Sequence, residues 1–222
     1  MTNNSLQIAI ASLTEEHLSE IIALQDKVTE VLEKPEFLQP LTEEEFLYIL
    51  HGNGMMAGAF VDGQLIAFRA MLDPGDDDEH LGLDVDISQQ ELSIVLYSEI
   101  SNVHPEFRGN GLQIVLGEWL LRRLDRKQYR YICSTVAPLN IPSLKDKFVL
   151  GMHIAALKNK YGNKLRYIFC KDVDVPFQSE AVSQVRTVLM RDIAQQQQLL
   201  TNGWLGIRIE QQHEEWYVVY VK

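Results

Sequence analysis

Hydrophobic and polar positions at the start of the chain predict a strand followed by two helices. Residues 6–11 form a short apolar run that is typical of a strand. Ser12 or Thr14 is placed to cap the first helix. The apolar positions of this helix recur at helical spacing and are Leu18, Ile21, Ile22, Val28 and Leu32. Thr42 and Glu45 have the spacing of a capping box, which predicts the start of the second helix.

The middle of the chain predicts strands that lead into a third long helix. Asp62 and Gly63 lie between two apolar runs and favour the positive φ angles of a hairpin turn. Residues 73–86 are acidic and rich in turn residues, which indicates a loop. We expect a long strand at residues 91–103 and a helix at residues 111–126. The face of that helix expected to pack inward consists of Leu112, Val115, Leu116 and Trp119.

Strand and helix patterns continue through the remainder of the chain. They predict a strand at residues 131–136, a short helix at residues 143–150 and a hairpin that turns at residues 161–163. A glutamine-rich helix is expected over residues 179–200, with its glutamines on a solvated face. An apolar hairpin is expected at residues 203–222. The sequence shows no internal repeat and no linker long enough to separate two independent domains.

Composition and charge restrict the classes of function. The chain has 222 residues, of which 46% are hydrophobic and 23% are charged, as is typical of a folded globular protein. Its net charge of -11 argues against a nucleic-acid-binding surface. No apolar run reaches the roughly 18 residues of a membrane span, and the first residues lack a basic leader. We therefore expect a cytoplasmic protein with no membrane partner.

The cysteines and histidines show no spacing that is typical of a reactive or metal site. Cys133 and Cys170 both lie in apolar, strand-like runs, which favours small buried side chains. A disulfide and a catalytic thiol remain the alternatives. The six histidines lack the spacing of a zinc motif, so we expect no metal.

The clearest chemical signal is RGNG, residues 108–111, between the predicted long strand and the helix that follows it. Backbone N–H groups at a helix N-terminus have no intrahelical partner and attract anions. Gly109 and Gly111 let the backbone approach an anion, and Arg108 adds a permanent positive charge. A Walker loop or a dinucleotide fingerprint would need glycine at position 114, which is Ile114. The segment predicts a pyrophosphate cradle, with a purely structural tight turn as the alternative.

The stretch VHPEFRGNGLQ, residues 103–113, resembles the acyl-CoA-binding signature of the GNAT superfamily of N-acetyltransferases. Arg108 and Gly111 match the signature, whereas Gln113 stands in the place of its final small residue. Further along, TVAPLNIPSLKDKFVLGM resembles the second signature of that family. The residues that carry this second resemblance are Asn140, Ser143 and Gly151. The order of predicted elements agrees with the family over residues 6–172.

The resemblance implies a mixed α/β fold in which helices flank a mostly antiparallel central sheet. It implies an N-acetyltransferase domain at residues 1–172, with residues 173–222 as a helix-plus-hairpin extension packed on the same domain. It also implies acetyl-CoA as co-substrate. The residues implied to hold it are Val103 at the pantetheine arm, then Arg108, Gly109, Asn110, Gly111, Leu112 and Gln113 at the pyrophosphate, and Asn140 and Ser143 at the thioester end.

Acyl transfer to an amine needs a base, because an alkylammonium with a pKa of about 10 is mostly protonated at neutral pH. Glu99, on the predicted long strand, occupies the place where many members of the family carry this base. The family's proton-donating tyrosine is replaced by Lys147, for which we expect an ordinary solvated side chain. Tyr161 would reach the site only if its turn folds inward. For His104 we expect a structural role.

Two functions are compatible with these residues. The first is direct acetyl transfer, within a ternary complex, to a primary amine of a small molecule or peptide. The second is a non-catalytic acyl-CoA-binding or protein-interaction module on the same fold. The acceptor amine is not specified by the sequence. The C-terminal extension is expected either to cover the acceptor cleft or to form a homodimer contact.

Overall fold

The computed structural model describes residues 7–178 and 182–222, and the chain divides into two compact units. The first unit comprises the described residues up to Asp73 together with Ser98–Leu124. The second comprises Pro74–Tyr97 and Asp125–Lys222. Among the described residues, no helix is both long enough and apolar enough to cross a membrane.

The first unit places helices beside an antiparallel sheet. Its elements in chain order are β1 (Ala9–Ser12), α1 (Leu18–Glu30), α2 (Glu43–Leu50), β2 (Gly54–Val61), β3 (Gln64–Leu72), the end of β4 (Val95–Val103) and α4 (Leu112–Leu121). Helix α3 (Leu81–Asp84) belongs to the second unit. Strands β1, β2 and β3 pair antiparallel, and β4 lies next to β3. The core of this unit contains Ile21, Leu24, Val28, Phe46, Ile49, Phe68 and Ile100.

The starts of α1 and α2 lie where the sequence predicts them. Thr14 is the N-cap of a 3-10 turn that leads into α1. Before α2, the hydroxyl of Thr42 accepts a hydrogen bond from the Glu45 N–H at 3.2 Å, and the Glu45 carboxylate accepts one from the Thr42 N–H at 2.7 Å. The predicted capping box is confirmed.

The second unit contains α3 (Leu81–Asp84) and the start of β4. These are followed by β5 (Tyr131–Val136), α5 (Ile141–Val149), β6 (His153–Lys160), β7 (Lys164–Asp172), β8 (Val185–Leu189), α6 (Ile193–Thr201), β9 (Leu205–Gln212) and β10 (Glu215–Val221). The strand order is β4-β5-β7-β6-β9-β10-β8. Val95–Tyr97 pairs in parallel with Tyr131–Cys133, whereas β5 with β7, β7 with β6, β6 with β9, β9 with β10 and β10 with β8 pair antiparallel.

Both predicted hairpin turns are confirmed. Asp62 and Gly63 have φ angles of 49° and 80° between β2 and β3. Tyr161, Gly162 and Asn163 have φ angles of 51°, 73° and 80° between β6 and β7. Left-handed conformations at consecutive turn residues give the twist that antiparallel strands need.

Three predicted element boundaries are wrong. Residues 89–94 form a 3-10 turn, because the Ser88 hydroxyl donates to the Glu91 carboxylate at 2.7 Å and favours a turn, so β4 starts only at Val95. The predicted acidic loop contains the short helix α3. The helix predicted at residues 111–126 ends at Leu121, and its Val115 is 43% exposed, because Leu112, Leu116 and Leu120 define the buried face.

The glutamine-rich segment differs most from its prediction. Residues 179–181 lie outside the described part of the chain, and β8 follows at Val185, where it pairs with β10. The helix begins only after Asp192, whose side chain accepts a hydrogen bond from the Gln195 N–H at 3.1 Å. Gln196 is fully buried rather than solvated, since β7 and β10 each place a tyrosine hydroxyl against it.

Candidate functional site

The end of β4 is fixed in the first unit by its neighbour β3. The His104 N–H donates to the Ile66 carbonyl at 2.8 Å, directly after the last residue of the strand. The His104 ring is buried, and its Nδ1 accepts a hydrogen bond from the Glu106 N–H at 3.3 Å. These contacts start a single 3-10 turn, Pro105–Phe107, and they give His104 a structural role.

Two glycines in left-handed conformation connect this turn to α4. Gly109 has φ 82°, and Gly111, the N-cap of the helix, has φ 69° and ψ 13°. A Cβ atom added at either position would meet nothing within 4 Å. The glycines are therefore required by the backbone conformation and not by packing, and the space beside both of them is open.

Helix α4 starts without a side-chain cap or a negative group. No side chain caps its first turn, and that turn contains no acidic residue. Helix α2, by comparison, begins with three glutamates behind Thr42. An uncapped first turn leaves backbone N–H donors and the positive end of the helix dipole available to an anion.

The side chains of Asn110, Leu112 and Arg108 near this turn have different environments. Asn110 braces the turn, because its amide nitrogen donates to the Phe107 carbonyl at 3.0 Å. Leu112 is buried beneath the helix. Arg108 is exposed, and none of the described carboxylates forms an ion pair with it. The guanidinium is thus placed where it can meet a ligand from solvent.

Arg69, on β3, is a residue that the sequence analysis missed. Arg69 is 2% exposed, and its guanidinium donates to the Gln113 carbonyl at 3.0 Å and to the Ser98 hydroxyl at 2.8 Å. It therefore links β3 to β4 and to the first turn of α4. The one available signal was a permanent charge in the apolar run QLIAFRAML, since arginine is rarely buried without partners.

The second half of β4 alternates between two environments. Ser98, Ile100 and Asn102 are buried, whereas Glu99, Ser101 and Val103 are only partly buried. By this alternation Glu99 and Val103 share one side of the strand with Ser101. Within the described chain, the Ser101 Oγ and both amide atoms of Asn102 are buried without a hydrogen-bond partner. Such atoms are rare in folded proteins and are often satisfied by a ligand or water.

Asn140 and Ser143 lie in the second unit, next to each other. Asn140 is the N-cap of α5, and its Oδ1 accepts a hydrogen bond from the Ser143 N–H at 3.4 Å. Asparagine is among the preferred residues for this position. A role of either residue in ligand binding stays a prediction.

Lys147 does not have the solvated position that we predict for it. Its ammonium is buried on α5 and lies 3.2 Å from the carboxylate of Asp146, which is also buried. Burial of the charge favours this pairing, because an ammonium removed from water needs a compensating partner. The hydroxyl of Tyr161 lies 3.4 Å from Thr135 Oγ1 on β5, with the tyrosine 38% exposed.

The structure thus brings Glu99, Val103 and residues 108–113 together in one continuous segment of the first unit. Asn140 and Ser143 belong to the second unit, as does Lys147. Arg69 and Ser101 are additional polar residues of the first unit.

Comparison with known proteins gives matches among solved structures. No family model and no curated protein matches the sequence. The ribosomal-protein-S18-alanine N-acetyltransferase from Escherichia coli matches with a TM-score of 0.57 at 15% identity, covering 78% of this chain and 98% of that one. An acetyltransferase of the GNAT family from Streptococcus pneumoniae matches with a TM-score of 0.55 at 15% identity, covering 75% and 100%.

A third match was solved with a ligand. It is YncA from Salmonella typhimurium with its cofactor acetyl-CoA, which matches with a TM-score of 0.57 at 14% identity and covers 79% of this chain and 99% of that chain. At such low identities the similarity concerns the fold. The protein has the mixed α/β fold of the GNAT acetyltransferases, with a mostly antiparallel open sheet flanked by helices.

Proposed function

We propose that this protein is an N-acetyltransferase that moves an acetyl group from acetyl-CoA to a primary amine by direct attack. The observation that carries the proposal is the start of α4, where Gly109, Gly111 and Arg108 surround an uncapped helix N-terminus in a GNAT fold. The similar YncA structure contains acetyl-CoA, which supports the choice of ligand.

The residues of the first unit fit the diphosphate of such a ligand. Residues 108–113 offer backbone N–H donors and one exposed guanidinium to an anion, with open space beside both glycines. We assign the pantetheine arm to the backbone around Val103, in keeping with the resemblance. The Ser101 Oγ, buried and unpartnered within the described residues, is placed to take up a polar group from a ligand on this side of β4. No metal is part of the proposal.

The proposed chemistry needs three tasks from the protein. Glu99 removes the proton of the acceptor ammonium, directly or through water. A backbone N–H of β4 stabilises the negative charge that develops on the thioester oxygen. The departing thiolate is a good leaving group, so a weak proton donor or water is sufficient for it. Lys147 is not assigned this third task, since Asp146 already holds its ammonium.

A second function is favoured by one observation. The place of the family's tyrosine is occupied by Lys147, which is buried in an ion pair. A protein that has lost this donor can retain acyl-CoA binding without turnover. The non-catalytic acyl-CoA-binding or protein-interaction module is therefore the alternative to the enzyme.

The testing experiment measures thermal unfolding of the purified protein with saturating acetyl-CoA and, separately, with adenosine. A ligand at about 100 times its Kd adds roughly 2.7 kcal/mol to the free energy of unfolding. For a chain of this size we expect acetyl-CoA to raise the Tm by roughly 5–10 °C. An equal rise with adenosine, or no rise with either, would remove the diphosphate cradle from the proposal.

A second measurement separates the enzyme from the binding module. A panel of polyamines, aminoglycosides and lysine peptides is incubated with acetyl-CoA, and the release of free CoA thiol is followed. Amine-dependent thiol release supports the transferase. A rise in Tm without thiol release from any amine in the panel supports the binding module.

A further inference from the structure

Cys133 and Cys170 are direct cross-strand neighbours in the second unit. Cys133 on β5 is paired with Cys170 on β7 in antiparallel register. Both are free thiols. The sequence favours small buried side chains, with a disulfide among the alternatives, and the register makes the two cysteines direct neighbours.

The spacing of opposed residues in an antiparallel sheet allows a covalent bond between them. Opposed Cα atoms are about 4.5 Å or about 5.5 Å apart, depending on whether the pair is hydrogen-bonded. A disulfide accepts Cα separations of about 4.4–6.8 Å. Either type of pair lies within this range, so the thiols can be joined without a change of register.

The two thiols differ in exposure and in chemical character. Cys133 is fully buried, whereas Cys170 is partly exposed. The interaction between the two thiols, together with burial, raises the pKa of Cys133, and the same interaction lowers the pKa of Cys170. Burial and, to a smaller extent, the negative charge of Asp172 oppose this effect on Cys170 but do not outweigh it. The more accessible thiol is thus also the one more readily ionised, as expected of the thiol that reacts first.

We propose that Cys133 and Cys170 form an oxidisable dithiol that responds to hydrogen peroxide. The Cys170 thiolate attacks a peroxide oxygen, the O–O bond breaks, and Cys170 becomes a sulfenic acid while the leaving hydroxide takes up a proton as water. The Cys133 sulfur then attacks the Cys170 sulfur. An S–S bond forms, and the sulfenic oxygen leaves with the Cys133 proton as a second water. Hydrogen peroxide accepts the two electrons.

The two cysteines could also be considered as metal ligands. His153 on β6 is paired with Cys170 from the other side, which makes a row of three potential ligands across β5, β7 and β6. Nevertheless, no three histidine, cysteine or acidic side chains in the described chain are placed to share a metal ion. The proposal is independent of acetyl transfer.

The experiment treats the native full-length chain with hydrogen peroxide, blocks remaining thiols with N-ethylmaleimide after denaturation, and maps the peptides by mass spectrometry. We expect a linked pair of peptides that contains Cys133 and Cys170 and weighs two hydrogens less than the separate thiol peptides. Dithiothreitol should restore both thiols. The proposal is overturned if both cysteines are recovered as maleimide adducts, or if Cys170 reaches the sulfinic acid while Cys133 stays a thiol.

Two single variants test the order of the steps. In Cys133→Ser we expect Cys170 to accumulate as a sulfenic acid that dimedone labels. In Cys170→Ser we expect Cys133 to stay a thiol at the same peroxide dose, because it is fully buried. Dimedone labelling of Cys133 in Cys170→Ser, equal to that of Cys170 in Cys133→Ser, would contradict the assigned order. The wild-type mapping decides on the disulfide even if either variant folds poorly.

Discussion

The guanidinium of Arg69 donates a hydrogen bond of 3.0 Å to the backbone carbonyl of Gln113. This contact joins the third strand to the first turn of the helix that begins at the proposed cradle. A second bond, to the Ser98 hydroxyl, joins the same guanidinium to β4. In our proposal Arg69 does not contact the ligand, but it holds the backbone at Gln113, which belongs to the proposed cradle, and anchors it to β4 through Ser98.

We predict that Arg69→Met weakens acetyl-CoA binding as well as the fold. The variant leaves the Gln113 carbonyl and the Ser98 hydroxyl without their donor, and each such loss costs about 1–3 kcal/mol of unfolding free energy. Arg166→Met is the matched control, because Arg166 is a buried arginine of the second unit. Calorimetry at a temperature where both variants are folded should show a raised Kd only for Arg69→Met. Equal Kd values for the two variants would reduce Arg69 to a general stabilising residue.

Gly111→Ala separates the backbone requirement from the ligand requirement. Gly63 is its control, because it also has a positive φ, 80°, and open space where a Cβ atom would project. Each alanine should lower the free energy of unfolding by about 1–2 kcal/mol, the cost of a left-handed L-residue. Only Gly111→Ala should also raise the Kd for acetyl-CoA, since its methyl group enters the space assigned to the diphosphate. Unchanged affinity in Gly111→Ala would argue against the cradle.

Replacing Glu99 by glutamine tests the assigned base. The amide keeps the size of the side chain but cannot accept the ammonium proton, so kcat should fall about 10²–10⁴-fold with an active amine. Acetyl-CoA affinity should stay at its wild-type value. Glu118→Gln, on the exposed side of α4, should leave kcat unchanged. A Glu99→Gln enzyme with wild-type turnover would exclude Glu99 from the mechanism.

Gln196 is predicted to be the glutamine of α6 on which stability depends most. Its Oε1 accepts hydrogen bonds from the hydroxyls of Tyr167 at 2.6 Å and Tyr220 at 2.9 Å, and its Nε2 donates to the Met190 carbonyl at 2.7 Å. Gln196→Leu leaves these buried groups unpaired and should cost several kcal/mol, at about 1–3 kcal/mol each. The exposed Gln198→Ala should change stability by less than about 0.5 kcal/mol. Urea unfolding of both variants gives the comparison.

The stability of the protein should depend on the protonation of His153. Burial, with a smaller contribution from Lys171, lowers the pKa of His153 below its ordinary value of about 6.5. The unfolded chain therefore binds this proton more readily than the folded chain. The contribution to stability is complete above about pH 6.5 and is lost as the pH falls through the lower folded pKa.

His153→Phe removes this titration and retains an aromatic ring beside Phe177, whose ring centroid lies 4.6 Å from that of the imidazole. When the pH is lowered from about 8 to about 5.5, the wild type should lose the contribution of His153 and the variant should not. The unfolding free energy of the variant should therefore rise relative to that of the wild type. Urea unfolding at both pH values measures it. A constant difference would show that His153 titrates alike in the folded and unfolded chains.

Features that depend on residues close in the chain were predictable from the sequence. The capping box of Thr42 and Glu45, the Asp62-Gly63 turn and the glycine-rich start of α4 each involve a few consecutive positions. Their physical requirements, a cap or a positive φ, limit the residue types directly. The same locality explains why the positive-φ turn before α4 could be expected from four consecutive letters.

Features that depend on strand register were not predictable in this way. The contact of Cys133 with Cys170 requires the pairing of β5 with β7, and the burial of Gln196 requires two distant tyrosines. The strand at Val185–Leu189 was mistaken for helix because its partner, β10, is formed at the end of the chain. Nothing in the local pattern specifies these partners.

The left-handed glycines of the cradle also determine what evolution can reveal about this site. Because Gly109 and Gly111 satisfy the backbone itself, glycine would be retained there in a descendant that no longer bound any ligand. Arg108 is different, since it is exposed and the fold uses only its backbone, through the bond from its N–H to the Pro105 carbonyl. Selection for a diphosphate ligand should therefore be recorded at position 108, and drift at that position should be the first mark of a lineage that has given up the ligand.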